Sequence, residues 1–445
     1  MFEVAATPHG AVSTRSRLSS PEGLILAKDY SEDQRSPDFS MRIAVVNLIV
    51  RTVKSKHLLP QLDPDMPVAG VRTESPMAVL LADELASMGH EVDIFVGSMF
   101  DVVRDSELSG ENRASILYTK ETLRWAFPPS FYPFAPSLVS RVREGQYDVV
   151  LTTDLIQPCT MEAIVAKPAK ARTFVWQELA SHPRFPASLY SRLVFSLMRI
   201  RHFRGVEKMI PRSNNARSFL LLERAPEHKI SAIIPNAVDC KVFSPDQPSD
   251  FFLKNDLGDP SRPRTIMVSR IDRSKGIDIF LKAAEIAVDG GYEGSFVLKV
   301  TGSGTSEIES LASKLGLKEK VTIVGGYLPR RNLANLIASC DICAAPSSGD
   351  LLFFVPIEAM ACGVPVITTT QTHHASTFSD GKAGLLIPAN DPNALAESIM
   401  RLSRDRTKLK EMALSARQMA VRDFSMESVA RRLLAVFEEP GGGTS

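Results

Sequence analysis

The chain has 445 residues, 44% hydrophobic and 23% charged, which is too long for one ordinary core and fits two soluble domains with tails. A formal net charge of +1 sets up no field that calls for nucleic acid or a strongly acidic partner. No apolar run approaches the roughly 20 residues of a membrane span. The five cysteines (Cys159, Cys240, Cys340, Cys343 and Cys362) are odd in number and irregularly spaced, which suits reduced thiols in a cytoplasmic protein better than a disulfide framework. Cys340 and Cys343 form a CxxC with no second pair to complete a zinc site, so they read as small buried apolar side chains.

Residues 1–40 are rich in Ser, Pro, Asp and Arg and read as a disordered leader. The folded part is expected to open with MRIAVVNLIV (41–50), an apolar β-branched run suited to a strand covered on both faces. Met77, Leu80, Leu81, Leu85 and Met88 recur on one helical face, with Gly89 as the stop. Further strands are expected at 91–97, 147–153, 172–177 and 229–235, completing an N-terminal domain over 41–235. Residues 236–250 read as a linker. A second strand-helix series follows, with strands at 264–270, 295–302, 320–326, 340–346 and 364–370. Ser306 and Glu309 have the spacing of a capping box. This second domain is placed at 251–422, with a helix at 423–438 packing back on the first domain and a loose tail at 439–445. The fold class is α/β: two Rossmann-like doubly wound domains facing across a cleft, with ligands expected beyond the strand C-termini.

Arg270 at a strand end and Lys275 in the following SKG turn are the candidate phosphate ligands, because one offers a bidentate fork and the other a mobile point charge. Two solvated loop cations are the plain alternative. Gly302 and Gly304 make a strand-to-helix turn whose backbone N–H groups suit phosphate. No Asp-x-Asp metal motif accompanies these candidates between residues 264 and 365. The densest segment runs from Ala344 to Pro365. A short helix is expected to begin near Pro356 and end at Gly363 and Pro365. Glu358 would stand in its first turn, able to accept two hydrogen bonds from a vicinal diol such as a ribose. Asp350 lies eight residues earlier in the same loop, and the N–H groups of Phe354 and Val355 would face a diphosphate.

From about Ile234 to Phe437 the chain resembles the donor-binding half of the GT-B retaining glycosyltransferases, the large family 4 group. The resemblance rests on IPNAVDCKVFSP, VSRIDRSKGID, GSGTSE, VTIVGGYLPRRNL, CDICAAPSSGD, PIEAMACGVPVI and DGKAGLLIPANDP, in that order. The first half is similar mainly through MRIAVVN and the helix ending in MGHEV. The resemblance implies metal-independent transfer from a nucleotide-sugar, UDP- or GDP-linked, to a glycan or glycolipid acceptor, as in polysaccharide biosynthesis. The nucleotide-sugar is substrate, with no resident cofactor. Arg270 and Lys275 match the pair that holds the diphosphate, Glu358 the ribose-binding second Glu of an E-x7-E motif, and Asp350 the first. Tyr327 and Leu328 match the base-binding positions, and Ser213 a recurrent serine.

The sequence departs from the pattern at Asp350, one methylene short, and at Leu352 and Phe353, which replace a Phe-Gly. On the acceptor side Gly70 and Arg72 stand near the family's Gly-Gly loop, while Gln177 and Glu178 stand where a histidine is expected. These departures leave open a sugar-nucleotide-binding subunit without turnover, or an epimerase or phosphorylase on the same fold. Residues 188–208 mix Arg192, Arg199, Arg201 and Arg204 with apolar residues. The segment reads either as an ordinary amphipathic helix or as a peripheral contact with the anionic inner face of the cytoplasmic membrane.

Overall fold

The computed structural model describes residues 40–48, 77–98, 113–123, 133–182, 187–197, 203–246, 261–348 and 354–440. Two six-stranded sheets organise them, and every strand pair in both is parallel.

The N-terminal sheet holds β1 (Arg42–Val46), β2 (Glu91–Ser98), β3 (Ser115–Lys120), β4 (Val149–Thr153), β5 (Arg172–Gln177) and β6 (Lys208–Pro211), in the order β3-β2-β1-β4-β5-β6. Both faces are covered, as the continuous apolar run in β1 implies. Ile43 and Val45 pack with α1 (Met77–Ser87) on one face. Ala44 and Val46 pack on the other with α2 (Ser137–Glu144) and α3 (Pro158–Ala166). This is the two-residue alternation of a strand. The α4 helix (Ala187–Leu197) and α5 helix (Asn214–Leu222) continue that second layer.

The C-terminal sheet repeats the plan with β7 (Arg264–Arg270), β8 (Ser295–Thr301), β9 (Val321–Val324), β10 (Ile342–Ala345), β11 (Val366–Thr369) and β12 (Gly384–Ile387). Their order is β12-β11-β10-β7-β8-β9. Met267 faces the layer of α6 (Ile277–Asp289), α7 (Thr305–Lys314) and α10 (Pro392–Arg404). Its neighbour Ile266 faces the layer of α8 (Arg330–Ala338), α9 (Phe354–Ala361) and α11 (Arg406–Met419). The last helix, α12 (Met426–Glu438), leaves this lobe and completes the core of the first. Leu433 and Phe437 are buried among N-lobe residues, and the rings of Phe437 and Phe174 lie 4.7 Å apart. The two crossing segments are tied by Val238 N–H to Phe424 O (2.7 Å) and Met426 N–H to Val238 O (3.2 Å).

Several local expectations need correction. Residues 229–235 are not a strand. Glu227–Lys229 is a 3-10 turn, and the following segment only skirts β6 through Ser231 N–H to Met209 O and Ile234 N–H to Pro211 O, both 3.0 Å. The short strands β3, β6 and β12 were not anticipated. The Ser306–Glu309 capping box is absent, because Gly304 at φ 110° is the N-cap and Ser306 Oγ meets Glu307 instead (3.0 Å). The α9 helix begins at Phe354, so Pro356 is its third residue and Glu358 its fifth rather than part of its first turn. Proline is tolerated there because the N–H it lacks has no intrahelical acceptor at that position.

All five cysteines are free thiols. Burial pushes Cys343 up to about 12 and Cys240 to about 11, so neither is a thiolate at neutral pH.

Candidate active site

In each sheet the chain reverses its direction of travel between two adjacent strands, β1/β4 in the first and β7/β10 in the second. The loops leaving those strands part there and open a crevice at the strand C-termini. In the C-terminal lobe most of the sequence-derived candidates follow the C-terminal ends of β7, β8, β9 and β10. Arg270 closes β7 in register with Thr301 of β8 and is exposed. The next turn is built by Asp272, whose carboxylate accepts from Ser274 N–H at 2.7 Å and Ser274 Oγ–H at 2.6 Å. These two hydrogen bonds, with smaller contributions from the Arg270 and Lys275 cations, hold the Asp272 carboxyl below its usual range. Arg270 thus stands just before this short turn (Arg273–Lys275) and Lys275 at its end, each close enough to lower the Asp272 carboxyl.

The turn cannot relax away from the neighbouring strand. Gly276 follows Lys275 at φ 76°, and a Cβ there would meet Pro346 O at 2.5 Å. Only glycine satisfies both the left-handed backbone and the close approach. Ser347 Oγ donates to Ser274 O (3.1 Å), and Ser348 N–H donates to the same oxygen (3.0 Å). The SKG turn and the start of the 346–353 loop are thus one unit, although they are about seventy residues apart in sequence.

Gly302 and Gly304 lie beyond β8 at φ 104° and 110°, and a Cβ at Gly302 would come into ordinary contact with Ile271 at 3.9 Å. Tyr327 and Leu328 follow β9, both half-buried, and Leu328 packs on the core. Phe354 and Val355 open α9, half-buried against the same core. Glu358 is half-buried on α9. Desolvation raises its pKa, opposed by the Arg330 cation. Asp350, Leu352, Phe353, Gly70 and Arg72 lie outside the described residues.

On the N-terminal side, Gln177 and Glu178 occupy the C-terminal edge of the sheet, but their polar atoms are engaged within the protein. Gln177 is fully buried, accepts from Leu155 N–H (3.1 Å) and donates to Leu179 O (3.0 Å). Glu178 is paired with Arg212 (2.9 Å) and also accepts from Asn236 Nδ2–H (3.3 Å). Arg212 in turn donates to Asn236 Oδ1 (2.9 Å) and lies 4.0 Å over the Trp176 ring. Ser213 is the N-cap of α5, accepting from Ala216 N–H (3.1 Å).

Three residues that sequence reasoning passed over matter to this geometry. Arg330 supplies the countercharge to Glu358. Its signal was its place just after Tyr327-Leu328-Pro329 at a helix start. Lys299, buried within β8, donates to Val300 O (3.0 Å) and to Gly326 O, fixing the turn before Tyr327. A lysine inside an otherwise apolar strand run was the available clue. Arg212, directly after β6, organises the Glu178 cluster.

Residues 251–419 match the family model described as Glycosyl transferases group 1. The D-inositol 3-phosphate glycosyltransferase of Xylanimonas cellulosilytica is 29% identical over 219 residues, 46% of this chain and 51% of that protein. The chain thus spans about half the length of that relative. The MMP alpha-(1->4)-mannosyltransferase of Mycolicibacterium hassiacum is 27% identical over 396 residues, 81% of this chain and 92% of that protein. Among solved structures, a glycosyltransferase from Rickettsia africae superposes with a TM-score of 0.68 at 20% identity, covering 90% of this chain and 98% of that one. Anabaena Alr3699/HepE in complex with UDP-glucose superposes with a TM-score of 0.64 at 17% identity, covering 90% and 100%. With its two parallel sheets and these neighbours, the chain has the GT-B fold and carries a Glycosyl transferases group 1 domain in its C-terminal half.

Proposed function

We propose that the protein is a glycosyltransferase that moves a sugar from a nucleoside-diphosphate sugar to a hydroxyl of a glycan, glycolipid or small molecule, with retention of anomeric configuration. The observation that carries this reading is that Arg270 ends β7 and Lys275 ends the turn that follows it, at the switch point of the C-lobe sheet. As the sugar–phosphate bond breaks, negative charge grows on the departing diphosphate. Fixed cations aimed there stabilise the transition state more than the ground state. The Gly302–Gly304 turn adds backbone N–H donors, as do Phe354 and Val355 at the start of α9. Glu358 accepts from the ribose hydroxyls, Tyr327 and Leu328 hold the base, and Asp350 orients the sugar. Phe353 shapes the sugar pocket. No step in this scheme requires a metal ion, since the cations of the chain itself neutralise the leaving group.

The UDP and UDP-glucose bound by the Anabaena protein make UDP the first nucleotide to try, and GDP the second. The purified chain should release nucleoside diphosphate from the correct donor in proportion to the glycoside formed. The anomeric coupling constant of that product reads retention directly. Binding without turnover across donors and acceptors would replace this reading with a partner subunit. A changed sugar on the nucleotide without acceptor would replace it with an epimerase.

A lipid-linked acceptor is favoured by one further observation. Leu189, Leu193 and Leu197 are 62%, 58% and 48% exposed and form an i, i+4, i+8 stripe on α4 beside the exposed Arg192. Val194 and Phe195 supply the buried face. No described helix is long and apolar enough to cross a membrane, and the contact in this reading is peripheral. Co-sedimentation with anionic vesicles at low salt, lost in Leu193→Asp, tests it.

A further inference from the structure

Lys299 is a buried cation with no part in the transfer scheme. It stands in β8 among Phe296, Val297, Leu298 and Val300, all buried and apolar. It shares the strand face of Val297, which packs on the layer of α8 and α9, and is in register with Val268 of β7 and Val324 of β9. Its ammonium donates to Val300 O at 3.0 Å and to Gly326 O. Gly326 lies just beyond β9 in the left-handed region, at φ 76°, and Tyr327 and Leu328 follow it. A Cβ on the preceding Gly325 would approach Thr305 Cγ2 at 3.3 Å. Thr305 opens α7 directly after the Gly302–Gly304 turn. Lys299 thus pins the loop that leads to Tyr327 where that loop abuts the glycine turn beyond β8.

Taking an ammonium out of water is costly, and an apolar side chain of similar volume at such a position is often neutral or stabilising by comparison. A lysine inside this strand points to a task outside the packing of the sheet. We propose that Lys299 is a positioning residue for the nucleobase of the donor. By holding Gly326 O it sets the backbone that presents Tyr327 and Leu328, and with it the affinity for the base and the choice between bases. The inference rests on the reading of Tyr327 and Leu328 as the base-holding positions, and extends it to a residue that acts through the loop rather than on the substrate. A loop that must order itself when ligand arrives offsets its contacts with lost entropy, and one already pinned does not. A displaced loop also loses discrimination, because selectivity is the difference between correct and incorrect contacts. The diphosphate is held by other groups, Arg270, Lys275 and the Gly302–Gly304 turn, so its binding is independent of this tie.

The test uses the full chain and calorimetric titration with UDP, GDP and inorganic pyrophosphate. Lys299→Met keeps the length of the side chain and removes the donor. Gly326 is exposed, so its freed carbonyl can turn to water, and the melting temperature should hold or rise. The better-bound nucleotide should bind about tenfold more weakly, while pyrophosphate binds as before. Any preference between UDP and GDP should shrink. Gly326→Ala strains the same turn, and its Cβ meets nothing within 4 Å; it should reproduce the pattern. The double variant should lose no more than the larger single loss, since both changes act through one turn. Unchanged nucleotide affinity in Lys299→Met, a lower melting temperature with a parallel loss for pyrophosphate, or losses that add in the double variant would overturn the assignment while leaving the transferase reading intact. If the unmodified chain binds neither UDP nor GDP, that reading falls and this assignment falls with it.

Discussion

The two lobes share one topology, six parallel strands wound outward from a central pair, yet they use their strand ends differently. In the C-terminal lobe, Arg270 and Lys275 bracket a turn fixed by Asp272 and Gly276, and both cations lower the Asp272 carboxyl. In the N-terminal lobe, Glu178, Arg212 and Asn236 face one another in a buried or half-buried cluster, and Gln177 beside them is engaged by Leu155 and Leu179. The lesson is that a fold supplies the position and the loop sequence supplies the chemistry. Identical strand ends serve as a candidate site in one lobe and as a structural knot in the other.

That contrast makes opposite demands on substitutions in the two lobes. The largest effect expected is Arg212→Ala, which leaves the Glu178 carboxylate half-buried without its cation and should cost about 3 kcal/mol of stability. Chemical denaturation would read this as a lower midpoint with an unchanged slope. A loss under about 1 kcal/mol would mean that the cluster is free for ligand after all. Lys275→Ala should do the reverse, cutting turnover about a hundredfold, roughly 3 kcal/mol of transition-state stabilisation, with no fall in melting temperature. Near-normal turnover would erase the difference between the lobes. Gly276→Ala should affect both properties, costing about 2 kcal/mol because φ 76° and the 2.5 Å approach to Pro346 O oppose any Cβ. The smallest effect is a gain. Glu162 in α3 is pushed up to about 7 by burial, though Ala135 N–H donates to it at 3.1 Å. Its folded pKa exceeds the unfolded value of 4.5. The folded state therefore binds the extra proton, and stability falls as pH rises from about 4.5 to about 7. Glu162→Gln keeps an acceptor for that N–H and should stabilise by about 1–2 kcal/mol above pH 7 and by nothing below pH 4.5. A pH-independent difference would mean that Glu162 titrates normally.

Most of the scaffold was legible without coordinates. β7, β8, β10 and β11 of the second sheet lie within the segments that apolar β-branched runs mark, because a strand covered on both faces needs nothing else in its side chains. β3, β6 and β12 were missed because edge and near-edge strands of four to six residues carry too few apolar positions to stand out. The same weakness of short-range signal misplaced the cap of α7, where a left-handed glycine overrode the Ser-x-x-Glu spacing.

Local signals in the sequence marked the candidates themselves: the glycine after Lys275, the arginine that ends β7 and the carboxylate on α9. What the linear order could not decide is which groups meet. Glu178, Arg212 and Asn236 span almost sixty residues, Ser274 and Ser348 more than seventy, and Asn214 and Ser376 lie in different lobes. Such contacts depend on how two sheets and a returning C-terminal helix close on each other. Their geometry follows from burial summed over the whole chain rather than from the residues that finally touch.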